Sequence, residues 1–225
     1  MDRIETESIP PTRFSPGLGL FLVSFSALFL ELMLIRWIPA RAQIVSYYSN
    51  VMLISSFLGL GAGCLMCARF PSGPQMSWPF VALLWLEVEI AIALQGAGFS
   101  MGADELRFAA VNVSQPYAEM GLLAIFAVNI LVFVPVGQEI GCCFRRLPPL
   151  KAYALNLGGN LTGVLLFSCF ALKAFSPAAG MMLPLAIWVA LRKMTRGRAV
   201  AAALACVGVI RLILTAPENE KWSPY

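Results

Sequence analysis

Three glutamates stand inside otherwise apolar runs of this sequence, and they are the residues best able to do chemistry there. Glu31 lies in SFSALFLELMLIR, and Glu87 and Glu89 lie in WPFVALLWLEVEIAIAL. A charged side chain at the centre of a membrane helix costs about 2.5–3.5 kcal/mol on insertion scales, so each carboxyl needs a reason to be there. These carboxyls predict either a proton relay or a polar site for a cationic solute.

A structural interpretation of the same carboxyls is that each is hydrogen-bonded or paired to hold helices together. Residues five apart differ by about 140° around a helix, so Glu31 and Arg36 are expected to meet different neighbours. Glu87 and Glu89 differ by about 200°, which excludes a catalytic carboxylate pair on one face. Candidate partners for the glutamates are the polar residues of the other apolar runs: Arg36, Asn129, Asn156, Asn160 and Lys173.

Cysteine and histidine usage limits the cofactor chemistry. The sequence has no histidine, the commonest ligand of haem iron, zinc and copper, so we expect no cofactor. Cys64-x-x-Cys67 and Cys142-Cys143 could form a redox pair like that of quinone-linked disulfide-forming membrane enzymes, but few activating cations stand near them. We interpret the six cysteines as mostly packing residues.

The composition places these residues in a membrane protein. Hydrophobic residues make up 59% of the 225 positions and charged residues 12%, against about 25% charged in soluble domains. The sequence predicts an all-α integral membrane bundle of about seven transmembrane helices, with the lipid bilayer itself as its first partner. The expected spans are 18–38, 51–68, 78–96, 120–137, 152–170, a sixth ending near Leu191, and 199–214.

The breaks between these spans follow from proline and polar residues. Pro39 and Arg41 are expected to end the first span, and Pro135 to kink or end the fourth. The connector 97–119 could lie as a short amphipathic piece on the membrane surface. We therefore divide the chain into a polar tail (1–16), a helix bundle (17–215) and a polar C-terminal segment (216–225).

Small and amide residues predict helix contacts. Gly59 with Gly63, and Gly159 with Gly163, have the small-xxx-small spacing that lets helices approach closely. Asn156 and Asn160 are one turn apart and share a face. That spacing is typical of interhelical hydrogen bonds or of a polar pocket.

The basic residues predict topology rather than a nucleic-acid partner. On the predicted topology, ten Lys and Arg residues lie on the same side of the membrane as the N-terminus and six lie on the opposite side. This distribution favours an N-terminus inside the cell. With seven spans the C-terminus would then lie outside. No serine or cysteine nucleophile can have a histidine base here, so we expect no catalysis by this chain alone.

Four stretches resemble the membrane-embedded N-terminal domain of bacterial spermidine synthase-like proteins. They are SFSALFLELMLIR, with Glu31 and Arg36 at the family's acidic and basic positions, SSFLGLGAGCLMCARF, AYALNLGGNLTGVLLF, and the terminal EKWSPY, which is similar to the start of the family's soluble domain. The resemblance implies an anchor in the bacterial inner membrane for an aminopropyltransferase-like soluble domain and a polyamine-like cation as ligand. The family's catalytic residues would lie beyond Tyr225.

The resemblance and the charge count disagree about the C-terminus. A cytosolic substrate requires the soluble domain inside, which needs an eighth crossing or re-entrant segment, a reversed orientation, or a soluble domain in the other compartment. Two other functions stay open: a small proton-coupled transporter, and an accessory subunit that packs against partner membrane subunits through its glycine faces.

Overall fold

The computed structural model describes residues 15–48, 50–69, 77–94, 116–173 and 177–191, together with residues 203, 207 and 208. All regular structure in these ranges is α-helical, as predicted. The helices are α1 (Pro16–Arg41), α2 (Gln43–Tyr47), α3 (Asn50–Arg69), α4 (Ser77–Leu94), α5 (Pro116–Phe144), α6 (Pro149–Leu172) and α7 (Pro177–Ala190).

Four stretches are long and apolar enough to cross a membrane: Pro16–Arg41, Asn50–Cys67, Glu119–Phe144 and Pro149–Leu172. A hydrocarbon core of about 30 Å needs about 20 apolar residues in a helix. In α6 the buried residues are Ala152, Gly159 and Gly163, while most of its large apolar side chains are exposed. Such a helix suits contact with lipid, and the four stretches indicate a membrane protein.

Two helices contain the prolines that were expected to limit them. α1 continues through Pro39 and ends at Arg41, which agrees with the expected end of the first span. α5 continues through Pro135 to Phe144, so of the expected kink or end at Pro135 the end is wrong. Proline removes one backbone hydrogen bond, and a helix packed by its neighbours tolerates that loss.

The connections also differ from expectation. Residues 116–119 form the first turn of α5 rather than part of a surface segment, and the rest of 97–119 lies outside the described residues. The short α2 was not predicted; it follows an extended residue, Ala42, at the end of α1. The predicted span 199–214 lies outside the described residues except for 203, 207 and 208, which are helical.

The helices pair in two parallel sets. Gly59 of α3 lies against Ile130 of α5, and Gly63 lies against Val134, so residue numbers rise together and α3 runs parallel to α5. α4 packs against α5 and runs antiparallel to it, because its last residue, Leu94, lies beside Gly121 near the start of α5. This arrangement brings the C-terminal ends of α3 and α5 to the same end of the bundle.

α1 and α6 form the second parallel set. Phe21 lies against Gly159, and Phe25 lies against Gly163. A small cluster of Leu20, Cys143 and Ala152 places the starts of α1 and α6 beside the end of α5. We call this the basic end of the bundle, because it carries Arg69, Arg145, Arg146 and Lys151.

Candidate functional site

The carboxyl group of Glu31 is held in the bundle core by a serine of α3. Glu31 is 2% exposed, and Ser56 Oγ lies 2.7 Å from its Oε1 atom. The same hydroxyl oxygen lies 3.0 Å from the carbonyl oxygen of Leu53. A serine hydroxyl has one proton, so it can donate to one of these two acceptors at a time.

Both contacts of Ser56 are hydrogen bonds at once only when Glu31 is protonated. The carboxylic acid then donates to Ser56 Oγ, and Ser56 donates to Leu53. When Glu31 is ionised, the serine proton turns to the carboxylate instead. The two protonation states of Glu31 therefore differ by the rotation of one hydroxyl, with the backbone unchanged.

The neighbouring serine of α3 joins the core to α5. Asn129 is 1% exposed, and its Nδ2 atom donates to Ser55 Oγ at 2.6 Å and to the Met52 carbonyl oxygen at 3.1 Å. Because a carbonyl oxygen only accepts, the nitrogen of the amide must face Met52. The amide oxygen of Asn129 then points the other way, where it is buried and has no hydrogen-bond partner in the described part of the chain.

Glu87 is the least compensated polar group among the described residues. It is fully buried, at 0% exposure, and neither carboxyl oxygen has a hydrogen-bond partner there. It lies on the buried stripe of α4 with Phe80, Leu84, Val88 and Ala91. The spacing of these residues is that of a single helix face, and α4 turns it toward α5, α1 and α7. Glu87 is thus a buried carboxyl group on an otherwise apolar helix face.

The other predicted ionisable residues are placed apart from this group. Glu89 is half-buried and points about 200° away from Glu87 around α4, so the two carboxyls do not share a site. Arg36 is half-buried on α1, about 140° around the helix from Glu31. Arg41 is buried, with its guanidinium carbon 5.8 Å from the centre of the Trp37 ring.

The two asparagines of α6 have different environments. Asn156 Oδ1 accepts a hydrogen bond of 2.7 Å from the buried hydroxyl of Ser24 on α1. Asn160, one turn later, is half-buried and has no hydrogen-bond partner among the residues described. Among the residues described, the shared face therefore supplies one interhelical hydrogen bond, through Asn156.

The four predicted packing glycines lie at the two parallel helix contacts. A Cβ atom at Gly59 or Gly63 would overlap the backbone of α5, and a Cβ at Gly159 would overlap α1. At Gly163 a Cβ would lie 2.9 Å from the Phe25 carbonyl oxygen. Contacts this close leave no room for a side chain larger than hydrogen.

Two of the cysteines depart from the expected packing role. Cys67 of α3 and Cys142 of α5 form a disulfide with a Cα–Cα distance of 5.7 Å, so the packing interpretation of this pair is wrong. Cys64 remains an exposed thiol whose sulfur lies 3.1 Å from the Gly137 carbonyl oxygen. The pairing depends on the parallel approach of α3 and α5, which sequence spacing does not report.

Comparison of the chain with protein-family models, curated proteins and solved structures found no match. The interpretation of the site therefore depends on its chemistry. Three serines form the interhelical hydrogen bonds of the predicted polar residues, and none of them was predicted as a functional residue: Ser24, Ser55 and Ser56. The adjacent Ser55 and Ser56 near the start of an apolar helix are a signal that could have indicated them, because two neighbouring hydroxyls face two different helices.

Proposed function

We propose that the chain is the membrane domain of a spermidine synthase-like protein, a bundle of about seven spans in the bacterial inner membrane, and that Glu87 holds a cation inside it. The family assignment is supported by the order of the four similar sequence stretches. The cation site is supported by one observation: both carboxyl oxygens of Glu87 are buried without a described partner.

The free-energy cost of burying an ionised carboxyl group explains why Glu87 would bind a ligand. Moving an isolated carboxylate from water into a low-dielectric interior costs several kcal/mol of solvation free energy, even after the surroundings relax. A proton removes that cost by neutralising the group. An ammonium group offsets it by donating N–H hydrogen bonds to the two oxygens. The buried amide oxygen of Asn129 is a further acceptor without a described partner. A polyamine carries the matching donors.

The membrane domain also serves as an anchor in this proposal. The exposed apolar side of α6 faces lipid, and its glycines fasten it to α1. The soluble aminopropyltransferase-like domain would be the partner that uses or supplies the cation. The chain itself performs no catalysis.

Reconstitution in lipid vesicles tests the cation site. The wild-type chain is expected to bind spermidine, Glu87→Gln to lose that binding, and Glu119→Gln to keep it, because Glu119 is exposed at the start of α5. Equilibrium binding of labelled spermidine is the measurement. If no spermidine binds, or if Glu87→Gln binds as well as wild type, the polyamine site is wrong and the anchor function is unaffected.

A proton-coupled transporter is the second candidate, and the Glu31–Ser56 contact favours it. A proton needs no cavity, and the serine hydroxyl can follow the protonation of Glu31 by rotation. Vesicles with a trapped pH-sensitive dye should then acidify when a membrane potential, negative inside, is imposed. Glu31→Gln and Glu87→Gln should each abolish the acidification, whereas proton entry at the wild-type rate in both variants contradicts this function.

A further inference from the structure

Three cysteines lie together where α3 and α5 end, namely Cys64, Cys67 and Cys142. The Cys67–Cys142 disulfide joins the two helices, and both residues are buried. Cys64 precedes Cys67 by three residues on α3, and it is an exposed thiol. Gly141 fits between them, since a Cβ there would lie 3.1 Å from the Cys64 Cα and 3.4 Å from the Cys67 Cβ. An exposed thiol thus stands one helix turn from a buried disulfide.

This cluster lies near the aqueous boundary of the bundle. α3 ends at the exposed Arg69, about 3 Å along the axis from Cys67 and about 7.5 Å from Cys64. Arg145 donates a hydrogen bond of 3.1 Å to the Cys67 carbonyl oxygen. That contact satisfies a carbonyl at the helix end and places a positive charge at the end of α3 that carries the disulfide, where thiolates form during exchange.

The charge distribution makes a permanent disulfide difficult to explain here. The basic end belongs to the side with ten of the sixteen Lys and Arg residues, which the positive-inside rule assigns to the cytoplasm. Cytoplasmic thiols are kept reduced, and the disulfides found there are mostly transient ones that exchange. A bond at this position is therefore expected to open and close.

We infer that Cys64, Cys67 and Cys142 form a thiol–disulfide exchange site, in which Cys64 connects the buried disulfide with a dithiol in the aqueous phase. This inference is independent of the proposed cation site. Residues three apart on a helix have Cα atoms about 5 Å apart, which is within the range that a disulfide spans. A Cys64–Cys67 bond is therefore accessible without moving either helix.

The exchange has two steps. First, Cys64 gives up its proton and its sulfur attacks Cys67 Sγ; the Cys64–Cys67 bond forms, the Cys67–Cys142 bond breaks, and Cys142 takes up a proton as a thiol. Next, one thiolate of the dithiol attacks Cys64 Sγ and Cys67 leaves as a thiol. The second thiol of the reagent then closes on the first and releases Cys64. Two electrons and two protons pass from the dithiol, which becomes a disulfide, to Cys67 and Cys142.

Reduction kinetics test this relay on the purified full chain in detergent, with dithiothreitol as the dithiol and maleimide-polyethylene glycol to count thiols. Cys64→Ser should slow the opening of the disulfide about tenfold or more, because the reagent then has no exposed sulfur to attack. Cys143→Ser is the matched control, since Cys143 is buried beside Cys142 and outside the disulfide. It should open at the wild-type rate.

A second variant tests the geometry without depending on the first. In Cys142→Ser, mild oxidation should produce a Cys64–Cys67 disulfide, identified by mass spectrometry of the digested protein. Two results would overturn the inference. One is reduction of Cys64→Ser at the wild-type rate; the other is a wild-type disulfide that opens only when denaturant unfolds the bundle. The latter would identify a static cross-link and place the basic end in an oxidising compartment.

Discussion

Ser56 Oγ on α3 lies 2.7 Å from Glu31 Oε1 on α1, and this contact bridges two helices that run in opposite directions. The same serine reaches the Leu53 carbonyl oxygen of its own helix. Its single proton therefore couples the protonation of Glu31 to the direction of one hydroxyl. The contact joins α1 to α3, and the direction of its hydroxyl depends on whether Glu31 carries a proton.

Removing either partner of this contact should destabilise the bundle in a coupled way. A double-mutant cycle with Glu31→Ala and Ser56→Ala should give an interaction free energy of about 0.5–1.5 kcal/mol, the range for hydrogen bonds between membrane helices. Unfolding in mixed detergent micelles measures it. Strictly additive single and double variants would show that the two groups do not interact.

Two glycines of α3 should respond oppositely to the same substitution. Gly63→Ala places a Cβ against the Val134 carbonyl oxygen and should lower the free energy of unfolding by about 1–3 kcal/mol. Gly61→Ala meets no atom within 4 Å and should raise it by about 0.5–1 kcal/mol, because alanine favours a helix more than glycine does. Equal effects of the two substitutions would contradict the close α3–α5 contact.

The asparagines of α6 provide a similar comparison. Asn156→Ala leaves the buried Ser24 hydroxyl without its acceptor and should cost about 1 kcal/mol of unfolding free energy. Asn160→Ala removes no described hydrogen bond and should change it by less than about 0.5 kcal/mol. Thermal unfolding in detergent distinguishes them. A larger cost at Asn160 would mean that its amide has a role not seen in the α1–α6 contact.

Replacing Glu87 by an apolar residue should separate stability from function. Glu87→Met fills a similar volume in an apolar face and removes a buried carboxyl group without a described partner, so stability should rise by about 1–3 kcal/mol. Cation binding should be lost in the same variant, as is common when a functional polar group is removed from a core. A loss of stability would instead indicate that Glu87 has a structural partner.

The positions of most long helices could be predicted, and their exact ends could not. Apolar runs of about 20 residues are a strong signal, whereas Pro135 was a misleading one, because neighbouring helices stabilise α5 across it. Glu31 and Glu87 were recognisable as buried carboxyls from their apolar flanks. The partner of Glu31 was not, since a hydroxyl on another helix leaves no periodic pattern around the glutamate.

The sequence by itself determined that the chain is helical, that its helices suit a membrane, and that carboxyl groups lie among them, because hydrophobicity and helix length are local properties. Only the tertiary structure decided which helices run parallel, which serine meets Glu31, and that Cys67 bonds to Cys142 rather than packing as a thiol. Those outcomes depend on the rotation and register of whole helices against each other. Small residues such as Gly63 permit the close approach, and the many contacts of both helices together select the register.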